Sequence, residues 1–277
     1  MSVAKTKNLA IVLLVIINIF FLTFIIIDNI ADARSERLAL ENACAALRAG
    51  GIEIDQENIK TGSGISTMRT VRADEAEELI ARAVLGSVDM TDLGVIYLYE
   101  NPSRGTAEFA SAGDFEILLN KGVVTGVNNK LREIQKILRD MKLETSSVEL
   151  TGDLEHEVYS VVCAYKGLNI FNCMIEFIWD GDDLKVIKGR YVTGSEPAEN
   201  GVELSSVSTA MLGFLAAVRD ETREDIEGAH IYGIEPGYRH RVIGAFGEGE
   251  IEPVWLITTD TGRFIIDSTT GEIQSFG

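Results

Sequence analysis

Residues Leu9–Ile27 read LAIVLLVIINIFFLTFIII and carry no charge. A helix of this length rises roughly 28 Å at about 1.5 Å per residue, close to the ~30 Å hydrocarbon core of a bilayer. The run predicts a transmembrane helix over 9–27. Lys5 and Lys7 precede it, while Asp28 and Asp32 follow before the next basic residue, Arg34. The positive-inside bias then makes residues 1–8 cytoplasmic and the rest extracytoplasmic, in a single-pass plasma-membrane protein. Ala31-Asp32-Ala33 has the form of a cleavage site. A cleaved signal therefore stays open as an alternative, although such apolar stretches are usually about 7–15 residues long, and a buried core helix is the third reading.

Beyond this run the pattern predicts an α+β ectodomain. Residues 28–50 read as a juxtamembrane helix with Leu38, Leu40, Cys44 and Leu47 toward one face, stopped by Gly50-Gly51. Residues 51–194 begin with a short strand, GIEID, and a Gly/Ser/Thr-rich loop over 60–67. A helix over 74–85, capped by Asp74, leads to strands near 93–100, 105–111 and 114–120. A helix over 128–141 precedes strands at 157–166, 169–179 and 184–192. Residues 194–201 read as a linker, and 195–277 hold a helix over 204–218 followed by strands at 228–235, 239–246, 253–259, 262–267 and 272–276. Helix followed by antiparallel strands occurs three times. The expected ectodomain is therefore a series of repeated helix plus antiparallel-sheet units.

Acidic residues number 43 against 25 basic, a formal charge of −18, which argues against nucleic acid as a partner. His156, His230 and His240 are too scattered for a metal site, and neither a G-x-S-x-G elbow nor a phosphate loop occurs. Glu77/Glu78 and Asp182/Asp183 read as solvated carboxylates, and Asp180–Asp183 as a hairpin turn. No catalytic residue, cofactor, metal or small-molecule substrate is expected. Cys163 and Cys173 are different. A three-residue loop at Gly167–Asn169 would set Cys163 opposite Cys173, with Tyr165 opposite Phe171, Val161 opposite Ile175 and Tyr159 opposite Phe177. A disulfide and a pair of packed thiols both remain open. In the apolar run, Asn18, beside Phe20 and Phe21, is the candidate for binding a partner helix, because an amide in hydrocarbon seeks a hydrogen bond.

Several stretches, taken in order, resemble the YycH/YycI family, and YycI in particular. They are Ala4–Leu22 with its Asn-Ile-Phe, Gly167-Leu168-Asn169-Ile170-Phe171, Tyr232–Tyr238 and Pro253–Ile257. The closing Gly262–Asp267 and Thr270–Ile273 complete the series and are also similar to PepSY-type modules. The match is poor between 52 and 127, Pro236 interrupts the strand before Gly237-Tyr238, and the family's tryptophan near the N-terminus is absent. The resemblance implies a non-enzymatic, membrane-anchored regulator of a cell-envelope sensor histidine kinase in a two-component system, acting with a YycH-like partner. Contacts would run through the membrane helix and the ectodomain. The alternative is a tethered PepSY-like inhibitor or chaperone of an extracytoplasmic hydrolase.

Overall fold

Apolar and polar side chains alternate along 96–119 and 157–190, and strands dominate the architecture. The computed structural model describes residues 14, 17–18, 32–110, 112–127, 129–152, 157–192, 195–219, 230–243, 248–268 and 270–276. The first ten strands are β1 (Glu53–Ile54), β2 (Met68–Thr70), β3 (Asp89–Asp92), β4 (Ile96–Asn101), β5 (Gly105–Ala110), β6 (Asp114–Leu119), β7 (Thr145–Leu150), β8 (Glu157–Tyr165), β9 (Leu168–Asp180) and β10 (Asp183–Arg190). Five more follow: β11 (Ser195–Pro197), β12 (His230–Val242), β13 (Gly249–Thr259), β14 (Arg263–Asp267) and β15 (Ile273–Phe276). The helices are α1 (residues 32–49), α2 (Asp74–Leu85), α3 (Lys130–Asp140) and α4 (Val207–Val218).

These strands form one mixed 15-stranded sheet with a main path β11-β2-β13-β12-β9-β10-β6-β5-β4-β3. In its first half, β3-β4-β5-β6-β10-β9-β8-β7, every pairing is antiparallel. In the second half β13 pairs with β12 along one side. On its other side it pairs first with β2 and then with β14. The halves meet where β12 runs parallel to β9, with Tyr238 opposite Ile170. This junction needs a glycine: a Cβ on Gly237 would lie 2.6 Å from the Asn169 carbonyl oxygen and from the Phe171 ring. Asn172 completes the seam. Its side-chain amide donates to the His240 carbonyl at 2.7 Å and its oxygen accepts the His240 N–H at 2.8 Å, imitating a strand neighbour.

Helices α2 and α3 cover one face of the first half, where Ile80, Val84, Ile134 and Leu138 meet Phe109, Ile117, Ile175 and Phe177. Helices α1 and α4 cover the second half, with Leu47, Met211 and Phe214 against Trp255, Ile257 and Phe264. Helix α2 spans 74–85 as expected, with Ala73 rather than Asp74 at its N-cap.

Three expectations need correction. First, the sheet is continuous and partly parallel, not a series of separate helix plus antiparallel-sheet units. Its unity comes from β9 and β12, thirteen residues each and long enough to belong to both halves. Second, no helix among the described residues is long and apolar enough to cross a membrane, which overturns the single-pass anchor and the inside–outside orientation built on it. Of the 9–27 run only Leu14, Ile17 and Asn18 are described, each exposed in helical backbone. The rest, with Phe20 and Phe21, lies outside the described residues. The expected juxtamembrane helix is instead an amphipathic helix, α1, that buries Ala43, Cys44 and Leu47 on the sheet. Third, the expected linker contains β11, which pairs with β2, and the two strands expected at 228–235 and 239–246 are one. Pro236 sits inside that strand opposite Trp255, and β9 pairs with β12 only at Tyr238, so a missing N–H at 236 breaks no ladder bond there.

Candidate interaction surface

Opposite α2 and α3 the face of the first half-sheet is largely open, covered at its β8 edge where buried Ser160 bonds Thr151, and its side chains fall into three rows. The first row is apolar: Leu118 of β6, Val186 of β10, Ile178 of β9 and Val158 of β8 lie directly opposite one another. The second is mostly charged: Leu98, Glu108, Glu116, Lys188, Glu176 and Ser160. The third contains Ile96 opposite Ala110, the Asp114–Arg190 pair, and Met174 opposite Val162. The strand period of two makes these rows, since Phe115, Ile117 and Leu119 point to the core while Asp114, Glu116 and Leu118 point away from it.

The second and third rows, apart from Leu98, Ser160 and Val162, line a shallow groove of about 620 Å³. Its floor is open at Gly189, where an added Cβ would run into the Met174 carbonyl oxygen. Arg190 forks onto Asp114 with two 2.8 Å bonds, and Lys188 lies 3.5 Å from Glu176. Forked hydrogen bonding to Asp114 holds the Arg190 guanidinium above its ordinary pKa, against the opposing effect of burial. Glu108 and Glu116 stand directly opposite each other, exposed, and make no ion pair among the described residues.

A second polar cluster lies beneath the other face. Glu77, on the inward side of α2, is fully buried. The Arg72 Nε donates to its Oε1 at 2.8 Å and an Arg72 terminal nitrogen to its Oε2 at 2.9 Å, and the same guanidinium stacks 3.7 Å from the Tyr97 ring centre. Burial raises the Glu77 carboxyl pKa, while hydrogen bonds from Arg72 and Tyr191 oppose that rise. Burial also pushes the Tyr99 hydroxyl up to about 12, and Tyr191 higher still. His240 adjoins the cluster, 5% exposed, with Nε2 3.4 Å from the Thr70 hydroxyl and Nδ1 without a partner among the described residues. Burial first, then the charge of Arg190, holds this imidazole below its ordinary pKa and so neutral. Both oxygens of Glu77 are taken and no surface reaches it, so the group fixes α2 to the sheet rather than exchanging protons with a bound molecule.

The residues singled out by sequence fall in different places. Cys163 and Cys173 are buried free thiols within the same core. Val161 pairs with Ile175 and Tyr159 with Phe177 as the alternation predicts, but the turn has two residues, Lys166 and Gly167, and Tyr165 pairs with Leu168. The register shifts at Cys163, whose Sγ donates to the Arg190 carbonyl at 3.4 Å. Burial lifts the Cys163 thiol to about 12 and Cys173 beyond that. Asn18 is exposed in helical backbone, and His156 lies outside the described residues. Of the other two histidines, His240 is buried, and His230 stays partly exposed, clamped between Glu53 at 3.2 Å and Asp55 at 3.1 Å. The open face itself was missed, although the alternation Asn172, Met174, Glu176, Ile178 shows that β9 has a second, mixed face.

No family model and no curated protein matches the chain, so neither kind of match supports membership of the YycH/YycI family. Among solved structures the chain is similar to an uncharacterized protein from Eubacterium rectale ATCC 33656, at 11% identity and a TM-score of 0.43, over 82% of this chain and 90% of that one. It is also similar to the Bacillus megaterium YpeB C-terminal domain, at 11% identity and a TM-score of 0.36, over 75% of this chain and 99% of that one.

Proposed function

We propose that this chain is a non-enzymatic regulator that works by binding another protein on the open face of β4–β6 and β8–β10. One observation carries the reading: a largely uncovered sheet face on which an apolar row lies beside ion-paired charges. Interfaces share that layout, with apolar anchors at the centre and polar groups around them. Exposed Leu118 and Met174 are the anchors available there. The resemblance to YycI makes a sensor histidine kinase, or a YycH-like protein that acts on one, the partner in this reading.

Leu118→Asp and Met174→Asp test it, with Leu212→Asp on the exposed side of α4 as the control. Circular dichroism first establishes that all three fold. Co-purification with the kinase and the YycH-like protein, and output from a kinase-dependent reporter, are then measured in the native host. The two open-face variants are expected to lose co-purification and change reporter output, while the control does neither. Unchanged behaviour in both open-face variants would refute the reading.

A further inference from the structure

We propose that the segment seated in the groove is a basic amphipathic helix, which sets a Lys or Arg side chain between Glu108 and Glu116. The inference rests on the open face being a protein-binding surface and names the chemistry of what it binds.

Charge on this face is unevenly satisfied. Four carboxylates and two cations line the groove, and both cations are already committed, Arg190 to Asp114 and Lys188 to Glu176. Glu108 and Glu116 face each other across adjacent strands, and Lys188, opposite Glu116 on its other side, is drawn to Glu176. Like charges directly opposite destabilise a sheet, and an incoming cation would remove that repulsion as it bound. The flanking side chains suit the rest of such a residue: Leu98 lies beside Glu108 on β4, and Leu118 follows Glu116 on the same face of β6. A Lys or Arg lays its aliphatic stem on apolar surface while its head reaches a carboxylate. From β5 to β9 the groove crosses four strands, roughly 14 Å at about 4.8 Å spacing. That width takes a helix of about 10 Å diameter. A second copy of this chain is a poor occupant, because each copy carries a formal charge of −18 and would bring carboxylates against carboxylates.

The probe is a synthetic amphipathic peptide with lysines on one face and leucines on the other, compared with the same peptide carrying glutamates for lysines. Binding to the full chain is read by fluorescence anisotropy at ~150 mM salt, where the Debye length of about 8 Å suppresses distant charges. E108Q/E116Q is expected to weaken binding of the lysine peptide at least tenfold while raising the urea midpoint of the chain. E57Q/E75Q removes two exposed carboxylates outside the groove, and its affinity is expected to stay within twofold of the parent. An equal loss in both double variants would mean attraction to net charge alone and would overturn the proposal. So would unchanged binding in E108Q/E116Q, or equal binding of the glutamate peptide. Native-host co-purification separates this result from the broader reading. A partner lost by Leu118→Asp but retained by E108Q/E116Q refutes the cationic helix and leaves the docking face standing.

Discussion

Removing Arg72 while keeping its bulk, as Arg72→Met, isolates the cost of stranding one buried charge. The methionine keeps an apolar stem near Tyr97 but deletes both bonds to Glu77 and the 3.2 Å bond to the Phe109 carbonyl. Glu77 is buried, so solvent screens its charge poorly once the guanidinium is gone. Breaking a buried ion pair from one side costs about 3–5 kcal/mol, a large part of the ~5–15 kcal/mol that holds an ordinary domain together. Converting both partners, Arg72→Met with Glu77→Met, removes the uncompensated charge and is expected to recover most of that loss. The pH dependence follows from the direction of the shift. Burial holds the Glu77 carboxyl above its ordinary 4.5, so the folded state binds this proton more tightly than the unfolded chain. Its stabilising contribution is complete below the unfolded value and is lost as pH rises through the folded one. Without Arg72 the folded value climbs further, so the deficit of the single variant grows between pH 5.5 and pH 8. Urea unfolding of the parent, the single variant and the double variant at both pH values measures this. A deficit that is the same at both pH values, or a double variant as unstable as the single one, would refute the stranded-charge argument and assign the cost to lost packing on Tyr97.

Other consequences are smaller or simpler to read. His230→Gln removes an imidazole whose pKa is raised first by its bond to Asp55 and then by Glu53. The parent should melt higher than this variant below about pH 6.5, with the gap closing as pH rises through the folded value, in a melting series from pH 5.5 to 9. Asn172→Ala leaves the His240 N–H and carbonyl without their bonds at the seam between the half-sheets, and is expected to cost about 1–3 kcal/mol by chemical unfolding. Cys44, Cys163 and Cys173 are all buried free thiols, so iodoacetamide at pH 8 should label none of them in the folded chain and all of them in denaturant, as counted by intact mass.

Elements whose partners are close in sequence were legible. Helix α2 has its apolar stripe, its stop at Gly86 and its bounds written locally, and β4, β5 and β6 are hairpins turned by strong turn residues. Pairings that reach across the chain were not. Strand β11 is three residues in a Gly/Glu/Pro-rich stretch, and only β2, more than a hundred positions earlier, makes it a strand. The apolar run at 9–27 satisfied a hydropathy argument that needs no neighbours, and the described helices do not bear it out. Glu77 read as one solvated member of an acidic pair because nothing in the sequence brings Arg72 to it. The cysteine register matches the expectation away from the turn, at Val161–Ile175 and Tyr159–Phe177, and differs only next to it: Lys166 and Gly167 both take positive φ and close a two-residue turn where three were expected, and the register shifts between Val162 and Ala164. Half of the candidate surface was visible as alternation, but which face of a strand stays open is decided by where α2 and α3 land.

That last point explains why the groove and the seam depend on each other. Strand β9 is long enough to serve both, with Met174 and Glu176 in the groove and Ile170 at the junction with β12. Asn172, between them, does two jobs: it lines the groove, and its amide holds the His240 backbone. A residue with shared partners does not contribute independently to each, so the energetics of the open face and of the junction are coupled through this one side chain. A partner that only covers Leu118 and Met174 leaves the seam as it is. One that accepts the second amide hydrogen of Asn172 leaves both seam bonds in place, whereas one that turns the amide breaks its bonds to the His240 backbone, and the cost is borne where the two half-sheets join. Such a shared residue gives a binding face without catalytic groups a physical route to alter the rest of the molecule.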